Sequence, residues 1–378
     1  MDYDISIIGG GPAGAMAAQA AVGRGARTIL IDDKHPGIPW IPACAEALGD
    51  VVLRTLGLPE KYQWVDNRCH KIRIVAPNGM ERTLKPKGLT ALVLNRPRFE
   101  ADLIAQAVSK GCDYLYAHHV LKISDFGPDY RTIQIRNLQT HEGLEVKAKV
   151  VIDCSGMSGV IAKQAGLHLP LKASDVGVCS QYRVRSPDLD DDTFELWFGA
   201  RFGAPKGYYW VFPKKEYANV GIGIQGGQGI NTKKALEGFI SNRFGDFEAF
   251  DYTNACLPLA RPLHRISTDF GVMVAGDAAR FCLATTGAGI GMALWSGRVA
   301  GAVAASHIEY EDPLELYDIA CQKEIIPKLE RAYRLKEHVT KSNESMQRYF
   351  YALLPLFWLH KIAPRWVEKR AARNMRFA

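Results

Sequence analysis

Along the chain the spacing of apolar residues passes from unbroken runs to alternation and then to helical periods. YDISIIGGGPAGAMAAQAAVGRGARTILIDD, Tyr3 to Asp33, holds two apolar runs separated by a glycine turn and a small-residue stretch. That is the order of a buried strand, a helix and a second buried strand. LVLNRPRFEADLIAQAVSKGCDYLYAHHVLKI, Leu92 to Ile123, repeats strand, helix and strand, with Phe99, Leu103, Ile104 and Ala107 on one helix face. VVIDCSGMSGVIAKQAGL, Val150 to Leu167, adds a buried strand, a turn and a helix. From about Ala173 to Ile266 the pattern alternates through VGVCSQYRV, TFELWFG, GYYWVFP and YANVGIGI, with SPDLDDD, RFGAPK and KKE between them. Alternation bounded by such turns predicts an antiparallel sheet. A further strand, a Gly-Asp turn and a long small-residue helix occupy Gly271 to Ala305, and helical spacing prevails from about Asp312 onward. The expected fold class is α/β: a Rossmann-like lobe, an antiparallel β-sheet lobe and a C-terminal helical segment.

With 378 residues the chain exceeds what one minimal core needs, so two lobes with a discontinuous boundary are expected. Hydrophobic and charged contents of 47% and 23% are ordinary for a folded soluble protein. Part of the net charge of +7 is local, because Leu359 to Ala378 carries Lys361, Arg365, Lys369, Arg370, Arg373 and Arg376 against Glu368. Such a tail suits an anionic surface; the competing reading is a solvated helix end. Eight scattered cysteines form no CxxC and no His/Cys cluster. This argues against zinc and iron–sulfur sites and, without a secretory leader, for a reducing cytoplasm. Asp188, Asp190, Asp191 and Asp192 lack the glycine and final glutamate of a calcium loop and read as a solvated hairpin turn. No stretch reaches the roughly 18 apolar residues of a spanning helix. YFYALLPLFWL, Tyr349 to Leu359, is short and interrupted by Pro355, fit to cap a core or to lie in a membrane interface.

Gly9, Gly11 and Gly14 form G-x-G-x-x-G between the first strand and its helix. Gly9 permits the tight turn, Gly11 admits a pyrophosphate to the backbone, and Gly14 lets helix and strand pack closely. Asp32 ends the second strand about 20 residues on, where an acid accepts ribose hydroxyls. GVMVAGDAARFCLATTGAGIGMALWSGRVAGAVAA supplies a second such turn far downstream, so both turns serve one large cofactor. Asp277 suits a polyol chain, and the helix beginning near Gly289 offers N–H groups to an electron-rich ring.

These motifs resemble the FAD-binding fold of the glutathione reductase and p-hydroxybenzoate hydroxylase class. The resemblance implies FAD as cofactor, bound by Gly9, Gly11, Ala13, Gly14, Asp32, Arg96, Val120, Asp277, Gly289 and Ile290. Taken alone, Arg96 is equally a surface arginine at a helix start, and His118 and His119 read as strand residues. Hydroxylases of the class carry Asp-Gly where this chain has Ser155-Gly156, which argues against a hydroxylase. The implied division is a discontinuous FAD-binding domain of residues 1–70, 90–170 and 267–310, a substrate domain of 71–89 and 171–266, and a helical region of 311–378.

Tyr208-x-Trp210-x-Phe212-Pro213, followed by ANVGIG, resembles the hallmark strand of the geranylgeranyl reductase family, and Cys44-x-x-x-x-Gly49 is similar to a motif of its archaeal members. The resemblance runs from Met1 to about Ala305. It implies an FAD-dependent reductase that saturates C=C bonds of geranylgeranyl chains. Digeranylgeranylglycerophospholipid is the first substrate candidate; geranylgeranyl diphosphate or a geranylgeranylated pigment comes next. Reducing an isolated alkene needs a hydride at one carbon and a proton at the other, through a carbocation-like centre that aromatic faces stabilise. Tyr208 and Trp210, on one strand face, are therefore assigned catalytic and substrate-binding roles, with Phe212 and Pro213 shaping the strand end of the substrate site. Cys44 is the candidate proton donor or redox partner of the flavin, activated by a nearby helix start. Its competing reading is a small buried core residue, and Glu46 is a second candidate acid.

Two rival readings share the cofactor residues: an FAD monooxygenase of a hydrophobic substrate and a non-catalytic prenyl carrier. The expected partners are an isoprenoid lipid and an electron donor, either ferredoxin, a quinol or NAD(P)H; no metal and no nucleic acid are expected. The location implied is cytoplasmic, peripheral on the inner face of the membrane. Residues 345–378 are either its membrane contact or a helix packed across the substrate lobe.

Overall fold

The N-terminal apolar run forms the strand Asp2–Ile8, which pairs in parallel with Thr28–Ile31 on one side and Gly143–Asp153 on the other. In the computed structural model, which describes residues 2–86, 90–127, 129–168 and 170–362 and only the backbone of 62 and 353–362, these three are the centre of a seven-stranded sheet. Asp113–Leu115 and Val272–Val274 extend it in parallel, Arg131–Asn137 and His118–Phe126 in antiparallel pairing. Ile5, Ile7, Leu30, Val150, Val151 and Ile152 are fully buried. Strands covered on both faces have no polar side to present, which is why they read as unbroken apolar runs.

Two helices of small residues, Pro12–Val22 and Ile290–Tyr310, touch backbone to backbone. A Cβ placed on Gly297 would lie 2.0 Å from the Ala13 carbonyl oxygen, and one on Gly301 2.1 Å from that of Ala17. Only glycine permits so close an approach.

The second sheet has the order Glu248–Pro258, Val176–Arg185, Ala218–Gln225, Ala204–Pro213, Thr193–Gly199, Lys71–Val75, Glu81–Leu84. It is antiparallel except that Lys71–Val75 runs parallel to Thr193–Trp197. That strand arrives from a distant part of the chain and not through a hairpin, so nothing obliges it to run antiparallel. The alternation also concealed a helix, Thr232–Arg243, capped by the Asn231 side chain accepting from Lys234 N at 3.0 Å. Its Leu236, Phe239 and Ile240 cover the outer sheet face, where Tyr209 stacks on Phe239 at 4.2 Å. GIQGGQGIN ends the strand Ala218–Gln225 and then turns into this cap. A third sheet of Ala47–Gly49, Ala91–Leu94 and Val65–Cys69 was not anticipated.

The chain continues in the helices Glu315–Glu324, Ile326–Val339 and Asn343–Ile362. The last runs through Pro355, where the sequence suggested a break; a proline removes one backbone hydrogen bond and bends a helix without having to end it. Its first turns face inward, with Met346 and Phe350 buried beside Ile74, Phe198 and Val339. Of the expected membrane contact, the basic residues Arg365 to Arg376 lie outside the described residues. No described helix is long and apolar enough to cross a membrane.

Gly297→Ala is expected to destabilise the protein by about 3 kcal/mol through overpacking against the Ala13 carbonyl. Gly238→Ala, with nothing within 4 Å of the added Cβ at an exposed helix position, should stabilise by about 0.5–1 kcal/mol. Chemical denaturation measures both.

Candidate active site

A cavity of about 1030 Å³ is lined by residues of the first sheet, the second sheet and the C-terminal helices. At its first end, Gly9 turns the chain at φ +97°, and a Cβ there would sit 2.6 Å from the Cys154 carbonyl oxygen. Gly11 and Gly156 also line the cavity, and nothing stands within 4 Å of where their Cβ atoms would be. Gly14 packs away from the lining, its Cβ position 1.8 Å from Gly9 O. Its part is the close strand–helix contact. In the two long helices the first amides bonded within the helix belong to Ala15 and Ala293, which donate to Gly11 and Gly289. The preceding N–H groups, of Ala13, Gly289 and Ile290, stand at the cavity. Two helix N-termini on one cavity suit a pyrophosphate and an electron-rich ring. Open space at Gly11 and Gly156 and the paired N-termini fit FAD.

The remaining expected cofactor residues line the same cavity. Asp32 is 6% exposed, its carboxyl pushed up by burial although Lys34 Nζ is 3.6 Å away. Val120 lines it from the strand His118–Phe126, and neighbouring His119 is held by Asp33 at 3.0 Å. Asp277 sits in the short turn Gly276–Ala279; burial pushes its carboxyl up to about 6, against the pull of Arg96. Arg96 opens the helix Arg96–Val108, whose Asn95 cap accepts from Arg98 N. Burial disfavours its charge, but the adjoining Glu100 carboxylate, helped by Cys44, raises its pKa.

Facing this cradle, Tyr208, Trp210 and Phe212 line the cavity from one face of Ala204–Pro213, while Tyr209 and Val211 belong to the outer core. Trp210 explains the glycines of the neighbouring strand: a Cβ on Gly221 would lie 2.2 Å from the indole. Its Nε1 donates to Gln181 Oε1 at 3.2 Å. Phe212 stacks on Phe194 at 4.2 Å, and Phe198 lies 5.1 Å from Tyr208 and 4.9 Å from Phe350. The Tyr208 hydroxyl donates to the Thr286 carbonyl in the loop before the long helix, and burial raises its pKa, so it stays a neutral phenol. Pro213 departs from expectation. It does not line the cavity; it ends the strand, its carbonyl accepting from Asn67 Nδ2 at 3.0 Å.

The sequence reading missed Lys214 and the part it plays with Glu46. Lys214 is 3% exposed, and its Nζ lies 2.6 Å from Glu46 Oε2 and 3.1 Å from Asp66 Oδ2. Glu46, fully enclosed and at φ +64°, also accepts from Asn219 Nδ2 at 2.9 Å and Arg96 N at 3.0 Å. Three donors on one carboxylate hold it in place, so it is an anchor and not a free acid. The Glu46 N–H in turn points to Cys44 Sγ at 3.2 Å. In the chain the strand Ala47–Gly49 separates Cys44 from the next helix, Asp50–Thr55, and the positive group beside the thiol is Arg96, at the start of the helix Arg96–Val108. The signal was the lysine directly after the Phe-Pro pair, legible only once its distant acid is known.

Comparison with known proteins agrees with this geometry. The profile of the geranylgeranyl reductase catalytic domain matches residues 175–256, and that of an FAD binding domain matches residues 2–205. A digeranylgeranylglycerophospholipid reductase of Methanoculleus marisnigri is 32% identical over 93% of this chain and 87% of its own length. A second such enzyme, from Methanopyrus kandleri, is 33% identical over 82% and 79%. A solved geranylgeranyl bacteriochlorophyll reductase-like protein of Thermoplasma acidophilum superposes with a TM-score of 0.84 at 28% identity, covering 92% of this chain and 90% of that one. An anhydrotetracycline hydroxylase of Streptomyces rimosus shares the fold alone, with a TM-score of 0.73 and 19% identity over 100% and 76%.

Glu46→Gln leaves the Lys214 ammonium buried without its nearest partner and should cost about 3 kcal/mol in denaturant unfolding. Asp277 makes stability depend on pH. Its folded pKa of about 6 lies above the ordinary 3.8, so its contribution in the flavin-free protein is complete below 3.8 and lost as pH rises through 6. Asp277→Asn should remove that slope and stabilise the flavin-free protein above pH 6 by on the order of 3 kcal/mol, read from urea midpoints across pH.

Proposed function

The chain belongs to the geranylgeranyl reductase family, and on that premise we propose that it saturates C=C bonds of geranylgeranyl chains carried on an isoprenoid phospholipid, with digeranylgeranylglycerophospholipid the first candidate. It is an FAD-dependent oxidoreductase. The observation that carries the substrate assignment is the row of Tyr208, Trp210 and Phe212, continued by Phe194 and Phe198, facing the cofactor cradle across one cavity.

Bound FAD supplies the hydride. The aromatic faces hold the apolar chain, exclude water and stabilise the positive charge that develops on the alkene carbon that receives the hydride. Cys44 is assigned the proton for the other alkene carbon. Its sulfur already accepts the Glu46 N–H, and the thiolate left after transfer is stabilised by that N–H and by the Arg96 guanidinium until solvent returns the proton. Lys214 and Glu46 position the Cys44 loop against the end of the aromatic strand. A phospholipid substrate requires access to a bilayer, and we place the protein peripherally on the inner membrane face.

The test is product mass. With flavin reduced and oxygen excluded, the lipid should gain about 2 Da per alkene from the transferred hydride and proton. Trp210→Ala should lower kcat about 100-fold, or about 2.7 kcal/mol, and Cys44→Ala should slow turnover without loss of flavin. A gain of about 16 Da seen only with oxygen would make the protein a flavin monooxygenase, and full turnover by Cys44→Ala would remove Cys44 from the reaction.

A further inference from the structure

We propose that the cavity seats the anionic phosphate of the lipid headgroup at Lys206, with Gln225 accepting a hydrogen bond from an O–H or N–H donor of the same headgroup. The proposal rests on the reading of this cavity as a prenyl-lipid site and adds to it the chemistry at the polar end of the substrate.

Lys206 lines the cavity two residues before Tyr208 on the aromatic strand. Its backbone is left-handed, at φ +52°, a conformation that a residue with a side chain adopts only where its surroundings impose it. The imposing feature is a bulge. Phe198 pairs with Tyr208, but Gly199 pairs with Ala204, so the residues between bulge out of the ladder. Bulges re-aim side chains and recur at functional sites.

The charge accounting singles out this lysine. Of the other lysines and arginines along the cavity, Lys34 and Arg96 pair with Glu100, and Lys336 pairs with Glu337 and donates to the Leu259 carbonyl at 2.9 Å. Lys206 has no hydrogen-bond or ion partner among the described residues. An unpaired cation beside an apolar chamber calls for an anion.

Gln225 supplies an independent observation. The Gly207–Ile224 pairing sets it across from Lys206. It is 5% exposed and lines the cavity, and its Nε2 donates to the Ser174 carbonyl at 2.8 Å. That bond fixes which end of the amide is which, and the Oε1 is buried without a partner. Lys336 Nζ reaches the same Ser174 carbonyl at 3.5 Å, so the polar groups gather at one end of an otherwise aromatic and aliphatic chamber. A free donor and a free acceptor at opposed positions of adjacent strands match a phosphate with a neighbouring hydroxyl or amine and do not match a hydrocarbon.

The experiment compares phytanyl phosphate with phytanol, two saturated ligands, by perturbation of the flavin spectrum in the holoenzyme, and geranylgeranyl phosphate with geranylgeraniol in turnover. Wild type should bind the phosphate about tenfold more tightly than the alcohol, as a charge-assisted contact implies, and added salt should weaken the phosphate alone. Lys206→Met should erase the preference while leaving phytanol binding unchanged, and Lys206→Arg should retain it. The same phosphate-to-alcohol ratio in wild type and Lys206→Met would overturn the proposal. So would inorganic phosphate displacing phytanyl phosphate as well as the lipid itself, which would make this a free-anion site. The two readings fail separately. Discrimination through Lys206 without reduction of any alkene would sink the reductase assignment and leave the headgroup seat standing; reduction with the ratio intact in Lys206→Met would do the reverse.

Discussion

The backbone contact between the helices Pro12–Val22 and Ile290–Tyr310 is the constraint on which the rest of the site depends. With Gly297 and Gly301 against the carbonyls of Ala13 and Ala17, the two helices lie closer than side chains of any size would allow. That approach brings both helix N-termini to one cavity and makes a single cradle from segments far apart in the chain. The long helix carries a second consequence, because the loop ahead of it holds Thr286, whose carbonyl accepts the Tyr208 hydroxyl. The position of the aromatic strand is thus tied to the position of the cofactor. Lys214 and Glu46 make the other tie, joining the end of that strand to the Cys44 loop and to the start of the Arg96 helix.

The strand Ala204–Pro213 divides its aromatics by parity, and the division is energetic as well as geometric. Tyr209 stacks under the helix Thr232–Arg243 and holds the sheet together from outside. Tyr208, Trp210 and Phe212 face inward, over a neighbouring strand whose Gly221 and Gly223 leave room for the indole. A large ring packed against glycine on the next strand, with its Nε1 bonded to Gln181, is held in place without filling the space the substrate needs. Met346 and Phe350 of the last helix, both buried, line the chamber beside Phe198.

What the sequence disclosed was local. G-x-G-x-x-G between a strand and a helix, the Gly-Asp turn at Asp277 and the alternation of Tyr208, Trp210 and Phe212 each depend on neighbours within a few residues, and their positions followed. What stayed hidden depends on distant partners. The parallel pairing of Lys71–Val75 with Thr193–Trp197 is set by tertiary placement and has no turn to announce it. The helix Thr232–Arg243 buries only Leu236, Phe239 and Ile240, too narrow a stripe to stand out among strands. Lys214 and Glu46 share a 2.6 Å contact although nothing in either local sequence names the other. Pro213 shows the converse: membership in a motif placed it at the end of the strand, bonded to Asn67, and not on the cavity wall.

The central claim is that a geranylgeranyl chain lies between the cofactor cradle and the aromatic row and accepts electrons there. Mixing reduced holoenzyme with the geranylgeranyl lipid in a stopped-flow instrument, with oxygen rigorously excluded, tests this directly through the visible absorbance of oxidised flavin. The account predicts that the absorbance returns on adding the lipid alone, and returns more slowly when Trp210 is replaced by alanine. Absorbance that stays bleached until oxygen is admitted, whatever the lipid concentration, would contradict it.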